Sequence, residues 1–203
     1  MTTVEFHFDF GSPNAYLSHK LIRGIEQRTG AAFVYVPVLL GGVFKLTNNQ
    51  APLMQFKDVK NKLEYQRLEM QRFIEKHGLT KFLWNPNFPV NTVQIMRGAI
   101  AAGMDDALMP YVDAVFHCMW EAGKKMDDLE VVRAALEESG LDAARILART
   151  QDQDVKDALL KNTEASVARG TFGAPTFFVG DDMYFGKDRL RDIEEEIVRR
   201  AAA

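Results

Sequence analysis

The chain has 203 residues, of which 47% are hydrophobic and 26% are charged, and its formal net charge is -3. This length suits one domain with a full core, or one domain that carries a large insertion. The small net charge argues against nucleic acid and anionic membranes as partners. No apolar run approaches the roughly 18 residues of a membrane span, and we expect no signal peptide. Since the single Cys118 cannot form an internal disulfide, we expect a cytoplasmic protein.

The N-terminal segment predicts a strand that runs directly into a helix. Apolar residues alternate with polar ones over 4–10, which is the period of a strand. Gly11 then allows a sharp turn, Ser12 is a favoured N-cap residue, and Pro13 suits the first helical position. A helix start offers unpaired backbone N–H donors and the positive end of the helix dipole. The turn is therefore suited to stabilise an anion, including a thiolate.

The next elements predict a β-α-β unit. Apolar residues recur at helical spacing over 14–28, and a second strand follows at 31–40. These two strands should be parallel and joined by a right-handed connection. Gly41-Gly42 should end the second strand, and 43–52 is predicted to be a short turn and loop.

The middle of the chain is predicted to be almost entirely helical. Helical patterns cover 59–76, 92–102, 107–121, 129–139, 143–150 and 152–169. The segment 82–91 cannot be a regular helix, because Pro86 and Pro89 interrupt it. Strand patterns return at 174–179 and 183–185, which predicts a hairpin, and a last helix is expected at 189–202.

The order β-α-β, then helices, then β-β-α predicts an α/β protein with a thioredoxin-like core. We assign that core to residues 1–42 and 171–203. The helical block between them, 43–170, is about 120 residues long and too long for a connection, so it is predicted to be an inserted all-helical domain.

Four motifs in this order resemble the 2-hydroxychromene-2-carboxylate isomerase family. They are Phe8-Asp9-Phe10-Gly11-Ser12-Pro13 with Tyr16, Asn49-Gln50-Ala51-Pro52, Phe172-Gly173-Ala174-Pro175-Thr176 and Phe185-Gly186-Lys187-Asp188-Arg189-Leu190. This family is grouped with the kappa-class glutathione transferases and is related to bacterial disulfide oxidoreductases that carry a helical insertion. The resemblance implies a homodimer that uses glutathione as a cofactor. It also implies interconversion of 2-hydroxychromene-2-carboxylate and trans-o-hydroxybenzylidenepyruvate, in naphthalene breakdown, by reversible thiolate addition.

The resemblance also implies a catalytic serine and a glutathione site. Ser12 matches the serine that hydrogen-bonds the glutathione sulfur, which would lower a thiol pKa of about 8.5, although an N-cap serine is common without any such role. The other glutathione-binding residues implied are Lys45, Asn49, Ala174, Pro175, Phe185, Gly186, Lys187 and Asp188.

Several of these assignments carry alternatives. Asn48 is an alternative to Asn49. Ala174-Pro175 is expected to be cis, and the alternative is an ordinary trans proline at the start of a strand. Lys187 could bind a carboxylate by its charge or by its backbone N–H, and Asp188 could pair with an ammonium group, begin the last helix, or do both.

A planar aromatic substrate needs an apolar slot with a few polar groups. The implied substrate-binding residues are Lys45, Trp84, Asn87, Phe88 and Asn91. The alternative is that 82–91 is only a packed connection between helices. His117 and Trp120 lie one helical turn apart, and we expect His117 to face the core. The isolated histidines predict no metal site.

The turn argues against redox chemistry. Disulfide oxidoreductases carry Cys-x-x-Cys where this chain has Ser12-Pro13-Asn14-Ala15, and Cys118 is predicted to be a core residue. Two other functions stay open at this point. One is a kappa-like glutathione transferase that forms stable conjugates with electrophiles. The other is a non-catalytic thiol-binding protein.

Overall fold

A four-stranded mixed sheet lies at the centre of the computed structural model, which describes residues 1–202. The strands are β1 (Thr3–Phe8), β2 (Ala32–Pro37), β3 (Thr176–Val179) and β4 (Asp182–Phe185), in the order β2-β1-β3-β4. β1 pairs in parallel with β2 and antiparallel with β3, and β3 and β4 form an antiparallel hairpin. The predicted β-α-β unit and C-terminal hairpin are confirmed.

Ten α-helices surround the sheet in the described part of the chain. They are α1 (Pro13–Thr29), α2 (Leu40–Thr47), α3 (Pro52–Gln55), α4 (Lys62–His77), α5 (Val93–Met104), α6 (Leu108–Trp120), α7 (Leu129–Glu138), α8 (Ala143–Arg149), α9 (Gln153–Ala168) and α10 (Leu190–Ala201). A short 3₁₀ turn, Lys187–Arg189, precedes α10. None of these helices is both long and apolar enough to cross a membrane. The predicted thioredoxin-like α/β class with a helical block is confirmed.

The prediction of a short turn and loop at 43–52 is wrong for 43–47, which belong to a helix, and is confirmed for 48–51. β2 ends at Pro37, and α2 begins at Leu40, with both glycines of Gly41-Gly42 inside its first turn. A Cβ on Gly42 would lie 3.2 Å from the Thr163 side chain of α9. Packing of α2 against α9 therefore overrides the low helix propensity of glycine, which the local sequence could not indicate.

The central position of β1 explains why one of its polar residues, His7, is also buried. The predicted strand over 4–10 ends at Phe8, and His7 is only 3% exposed. His7 Nδ1 lies 2.8 Å from the Ser166 hydroxyl of α9, and His7 Nε2 lies 3.0 Å from a Glu5 carboxylate oxygen. Burial lowers the pKa of His7, and the hydrogen bond with Glu5 opposes that shift.

One hydrophobic core joins the sheet to the helical block. The Phe8 and Phe10 rings lie 5.8 and 4.9 Å from the Phe116 ring of α6. Cys118 is buried on the same helix, as predicted. The expectation that His117 faces the core is wrong, because its side chain is 58% exposed and pairs with Glu121. The domain boundaries at residues 42 and 170 stay a prediction.

Candidate functional site

Ser12 lies at the end of the central strand and begins α1. Its backbone is extended (φ -94°, ψ 113°), and its hydroxyl oxygen accepts a hydrogen bond from Ala15 N at 3.2 Å. The N-cap prediction is therefore confirmed. The same hydroxyl donates to the carbonyl oxygen of Ala174 at 2.9 Å. Ser12 is only 5% exposed, so this turn is held against a segment that lies far away in the chain.

The Ala174-Pro175 peptide bond is cis, as predicted. The Ala174 carbonyl faces the Ser12 hydroxyl, and the Pro175 carbonyl accepts from Gly186 N at 3.0 Å. Two of the predicted glutathione segments are thereby in direct contact with each other, and one of them contacts Ser12.

The segment after β4 carries a buried ammonium group. Gly186 has φ 95° and ψ 157°, a conformation that a residue with a side chain rarely adopts. Lys187 is 5% exposed, and its ammonium lies 2.6 Å from an Asp188 carboxylate oxygen and 4.6 Å from the centre of the Phe73 ring of α4. The Asp188 side chain remains 67% exposed. Lys187 and Asp188 thus offer one cation and one anion side by side.

Asn49 links the α2 region to the segment before the cis-proline. Its amide donates to the Phe172 carbonyl at 2.9 Å. Asn48 instead ends α2 with a left-handed backbone, φ 53°. The two asparagines therefore have different structural roles, and Asn49 is the one that reaches the Ala174 segment. Lys45 is exposed in the last turn of α2. The Phe185 ring packs 4.4 Å from the Phe172 ring.

Aromatic side chains of 82–91 form a cluster with Trp120 of α6. Trp84 and Phe88 each lie 6.0 Å from Trp120, and 5.5 Å from each other. Trp84 remains 47% exposed, so part of this cluster is open to a ligand. The Trp120 indole N–H donates to the Phe10 carbonyl at 2.8 Å. The aromatic cluster is therefore connected to the residues just before Ser12.

The asparagines of this loop are engaged within the chain. The Asn87 amide donates to the Gly123 carbonyl at 3.0 Å, and the Asn91 side-chain oxygen accepts from Val93 N at 3.1 Å. Asn85, which sequence reasoning did not single out, is 1% exposed and donates to the Met119 and Lys124 carbonyls. Nothing in the sequence separates Asn85 from its two neighbouring asparagines.

Asp9 is a second residue that sequence reasoning did not single out. It is fully buried three residues before Ser12, and its carboxylate accepts from Gly11 N at 2.8 Å, Leu40 N at 2.7 Å and the Thr92 hydroxyl at 3.1 Å. Burial raises the pKa of the Asp9 carboxyl, and these hydrogen bonds oppose that shift. The available signal was a charged residue between two phenylalanines at the end of an apolar strand.

A separate cavity of about 350 Å³ lies between α1 and α6. Its ionic groups include His19, Lys20 and Glu121, which hydrogen-bond within the chain. None of the predicted glutathione or substrate residues lines it. Residues 1–202 contain no group of three or more His, Cys, Asp or Glu side chains that could hold a metal ion.

Comparison with known proteins extends the resemblance over the whole chain. The 2-hydroxychromene-2-carboxylate isomerase of Pseudomonas putida is 29% identical over 197 residues, which cover 97% of this chain and 94% of that protein. Glutathione S-transferase kappa 1 of Rattus norvegicus is 25% identical, over 92% of this chain and 87% of the transferase. A solved structure of 2-hydroxychromene-2-carboxylate isomerase superposes with a TM-score of 0.85 at 28% identity, covering 98% of this chain and 96% of that one.

These relatives confirm the resemblance to the isomerases that the four motifs indicate. A model of the DSBA-like thioredoxin domain matches residues 3–198. Because this match includes the sheet, the helical block and most of the last helix, the chain belongs to the DSBA-like thioredoxin domain family.

Proposed function

We propose that this chain is a glutathione-dependent isomerase that interconverts 2-hydroxychromene-2-carboxylate and trans-o-hydroxybenzylidenepyruvate. One observation carries the proposal: the Ser12 hydroxyl lies at the start of α1 and in hydrogen-bond contact with the residue before a cis-proline. That position combines a hydroxyl donor with the positive end of a helix, which together stabilise a thiolate. Names of relatives with about 29% identity support the same reaction.

The donors and acceptors around Ser12 suit glutathione. The exposed carboxylate of Asp188 would pair with the α-ammonium of the γ-glutamyl end. Lys187 would bind the α-carboxylate through its backbone N–H, or through its ammonium once that group leaves Asp188. Ala174 lies beside Ser12, where its backbone can pair with the peptide part of the cofactor. The side-chain oxygen of Asn14, two residues after Ser12, is buried without a partner in the described structure and is available as an acceptor. These residues would hold glutathione, with Lys45 and Asn49 near its glycyl end.

When bound, glutathione would supply a thiolate for reversible addition to the conjugated carbon of the open-chain 2-oxo acid, with the electron pair of the double bond moving onto the 2-oxo oxygen. The new single bond could then rotate, loss of the thiolate would restore the double bond, and addition of the phenol oxygen to the 2-oxo carbon, with its proton passing to the oxo oxygen, would close the chromene ring. Ser12 would turn its hydroxyl from the Ala174 carbonyl to the sulfur and keep the thiol deprotonated. The exposed part of Trp84, with Phe88, would hold the aromatic ring of the substrate. Lys45 would bind its carboxylate. Asn87 and Asn91 stay proposed contacts, and both would have to exchange the hydrogen bonds they make within the chain.

The test is to incubate the protein with glutathione and trans-o-hydroxybenzylidenepyruvate and to follow both the substrate and the free thiol. Isomerisation with constant thiol concentration, abolished when glutathione is omitted, supports the proposal. Turnover at the same rate without glutathione would refute it.

A kappa-like glutathione transferase is the second candidate, supported by the similarity to the rat transferase. In that reaction the thiolate remains bonded to the substrate, so one thiol is consumed for each product. Chlorodinitrobenzene with glutathione tests this reaction directly. Stoichiometric loss of thiol with an electrophile, and no isomerisation, would favour the transferase.

We also propose that the protein is a homodimer. None of the residues of α4 is buried, and apolar side chains on α2–α4 and the segment between them are about half exposed. They are Leu46, Leu53, Met54, Val59, Tyr65 and Leu68. Such a face is expected to pack against another surface. Light scattering on the purified protein should give twice the 22.9 kDa chain mass. A cytoplasmic location stays a prediction.

A further inference from the structure

Three segments that build the candidate site meet at one buried side chain. The Asp9 carboxylate accepts hydrogen bonds from Gly11, which precedes Ser12, from Leu40, which begins α2, and from Thr92, which precedes α5. α2 carries Lys45, and Thr92 directly follows the aromatic loop 82–91. One anionic group thus contacts the Ser12 turn and both elements proposed to hold the substrate.

The two backbone N–H donors favour an ionised carboxylate at this position, against the effect of burial. Two of the three partners are backbone N–H donors and the third is a hydroxyl. An ionised carboxylate accepts at both oxygens, whereas an asparagine would turn an N–H toward one of the donors. Leu40 N lies at the N-terminus of α2, whose N-cap residue Leu39 makes no side-chain capping bond, so Asp9 is the side chain that caps this N–H group. The positive end of α2 therefore stabilises the charge, and no cationic side chain of residues 1–202 pairs with Asp9.

The contact with Thr92 is close and specific. A Cβ added to Gly11 would lie 3.1 Å from the Thr92 methyl group, so the glycine lets the insertion approach the Ser12 turn. The Thr92 hydroxyl makes no capping bond to its own helix and donates to Asp9 instead. Phe10, which follows Asp9 in the chain, is also tied to the helical block, because its carbonyl accepts a hydrogen bond from the Trp120 indole of α6.

From these contacts we infer that Asp9 is a positioning residue, whose carboxylate holds the Ser12 turn and the aromatic loop in one fixed arrangement. The inference rests on the proposed function, because the positioned groups are the thiolate site and the substrate site. Asp9 touches neither ligand and acts through Gly11 and Thr92. If its role were only to stabilise the fold, loss of one of its bonds would lower stability and leave the reaction rate of the folded protein unchanged.

The variant Thr92→Val tests this inference. Valine has nearly the shape of threonine, Asp9 itself is unchanged, and only the hydrogen bond between the Thr92 hydroxyl and the Asp9 carboxylate is lost. Thr163→Val is its matched control. The Thr163 hydroxyl accepts a hydrogen bond from Leu39 N, next to Leu40, and donates to the Leu159 carbonyl of its own helix; within residues 1–202 it makes no hydrogen bond to the Ser12 turn or to Thr92. We expect similar melting temperatures for the two variants. We expect kcat to fall about tenfold in Thr92→Val, about 1.4 kcal/mol in barrier, and to change less than about twofold in Thr163→Val.

Asp9→Asn is a larger perturbation than Thr92→Val. It distinguishes an effect of Asp9 on the position of the Ser12 turn from a direct effect of its negative charge on the thiolate. Removing a negative charge near the thiolate would lower the bound thiol pKa if Asp9 acted only through its field. Displacing the Ser12 turn would raise that pKa, and we expect a rise of about one unit or more. If Asp9→Asn does not fold, the two threonine variants still decide the question. Equal kcat values in Thr92→Val and wild type, or a lowered thiol pKa in Asp9→Asn, would overturn the inference.

Amide hydrogen exchange of the free protein gives a readout that needs no glutathione. Thr92→Val should increase exchange both at residues 90–97 and at residues 10–16, by about threefold or more. Thr163→Val should affect neither segment. If wild type neither binds glutathione nor turns over substrate, the proposed function fails, and exchange still decides whether Asp9 couples these segments. Faster exchange at 90–97 alone would refute that coupling.

Discussion

Replacing Ser12 with alanine removes one hydroxyl that makes two hydrogen bonds. It accepts from Ala15 N at 3.2 Å and donates to the Ala174 carbonyl at 2.9 Å. Loss of an N-cap side chain costs about 1 kcal/mol, and loss of the second bond costs about another 1 kcal/mol. We expect the free energy of unfolding to fall by about 2 kcal/mol with the fold retained, which a urea titration will measure.

The effect on the bound thiol should be of similar size and appears in the pKa of that thiol. A hydrogen bond to a charged group contributes about 1.5–3 kcal/mol, which corresponds to a rise of about 1–2 units in the thiol pKa. Titration of the thiolate absorbance of the glutathione complex measures that pKa directly. Because less thiolate is present at neutral pH, kcat should fall about 10- to 100-fold in steady-state isomerisation assays.

Two variants control this experiment. Ser18 is buried on the same helix, and its hydroxyl donates only to the Asn14 carbonyl, so Ser18→Ala should keep the wild-type thiol pKa. Ser12→Thr keeps a hydroxyl and should recover part of the activity. An unchanged thiol pKa in Ser12→Ala, or an equal loss of activity in Ser18→Ala, would refute the role given to Ser12.

Four further predictions follow from the contacts described above. In Gly173→Ala, the new Cβ would lie 2.9 Å from the Phe185 ring, so we expect the KM for glutathione to rise about fivefold with kcat little changed. Trp84→Ala should raise the KM for the aromatic substrate and leave the bound thiol pKa unchanged, since Trp84 lies on the open side of the aromatic cluster. Cys118→Ala should keep full turnover and lose about 1 kcal/mol of stability, because the thiol is a core group. Burial lowers the pKa of His7, so the unfolded chain binds a proton that the folded chain does not, and stability should fall as pH drops below 6.5.

Each of these four predictions would be contradicted by a specific result. If Gly173→Ala raises the KM for the aromatic substrate and not the KM for glutathione, Gly173 does not shape the glutathione site. If Trp84→Ala shifts the pKa of the bound thiol, the placement of Trp84 in the substrate site is contradicted. Loss of turnover in the Cys118 variant would contradict its assignment as a core group. For His7, urea midpoints at about pH 7.5 and about pH 5.5 are compared between wild type and His7→Asn. An equal loss of stability in both proteins would show that another group is responsible.

The fold was largely predictable because its elements follow local patterns. Helical spacing and the proline-broken segment 82–91 placed most elements within a few residues. The exception at 40–47 has a tertiary cause. Two consecutive glycines have low helix propensity, so the local sequence predicts the end of a strand and a loop at Gly41 and Gly42. The close approach of Gly42 to the Thr163 side chain favours a helix there instead. The position of His117 was mistaken for a similar reason, because helical spacing alone does not tell which side of α6 faces the core.

The candidate site was predictable where a residue type has a local role, and less so where its role depends on distant partners. Ser12 reads as an N-cap from its neighbours alone. The partners of Asp9 come from Gly11, Leu40 and Thr92, so its importance appears only when the chain is folded. The burial of Lys187 likewise depends on Phe73, which lies far away in the sequence.

The contact between Ser12 and Ala174 has a consequence for the synthesis of the protein. These residues are 162 positions apart, and β1 lies between β2 and β3 in the sheet. While the ribosome adds the first 170 residues, one edge of β1 has no strand to pair with and the Ser12 hydroxyl has no Ala174 carbonyl. Contacts of such large separation form late in folding. A nascent chain that ends before β3 should therefore hold the helices between β2 and β3 and lack the contact of Ser12 with Ala174, which forms only when the C-terminal hairpin joins the sheet.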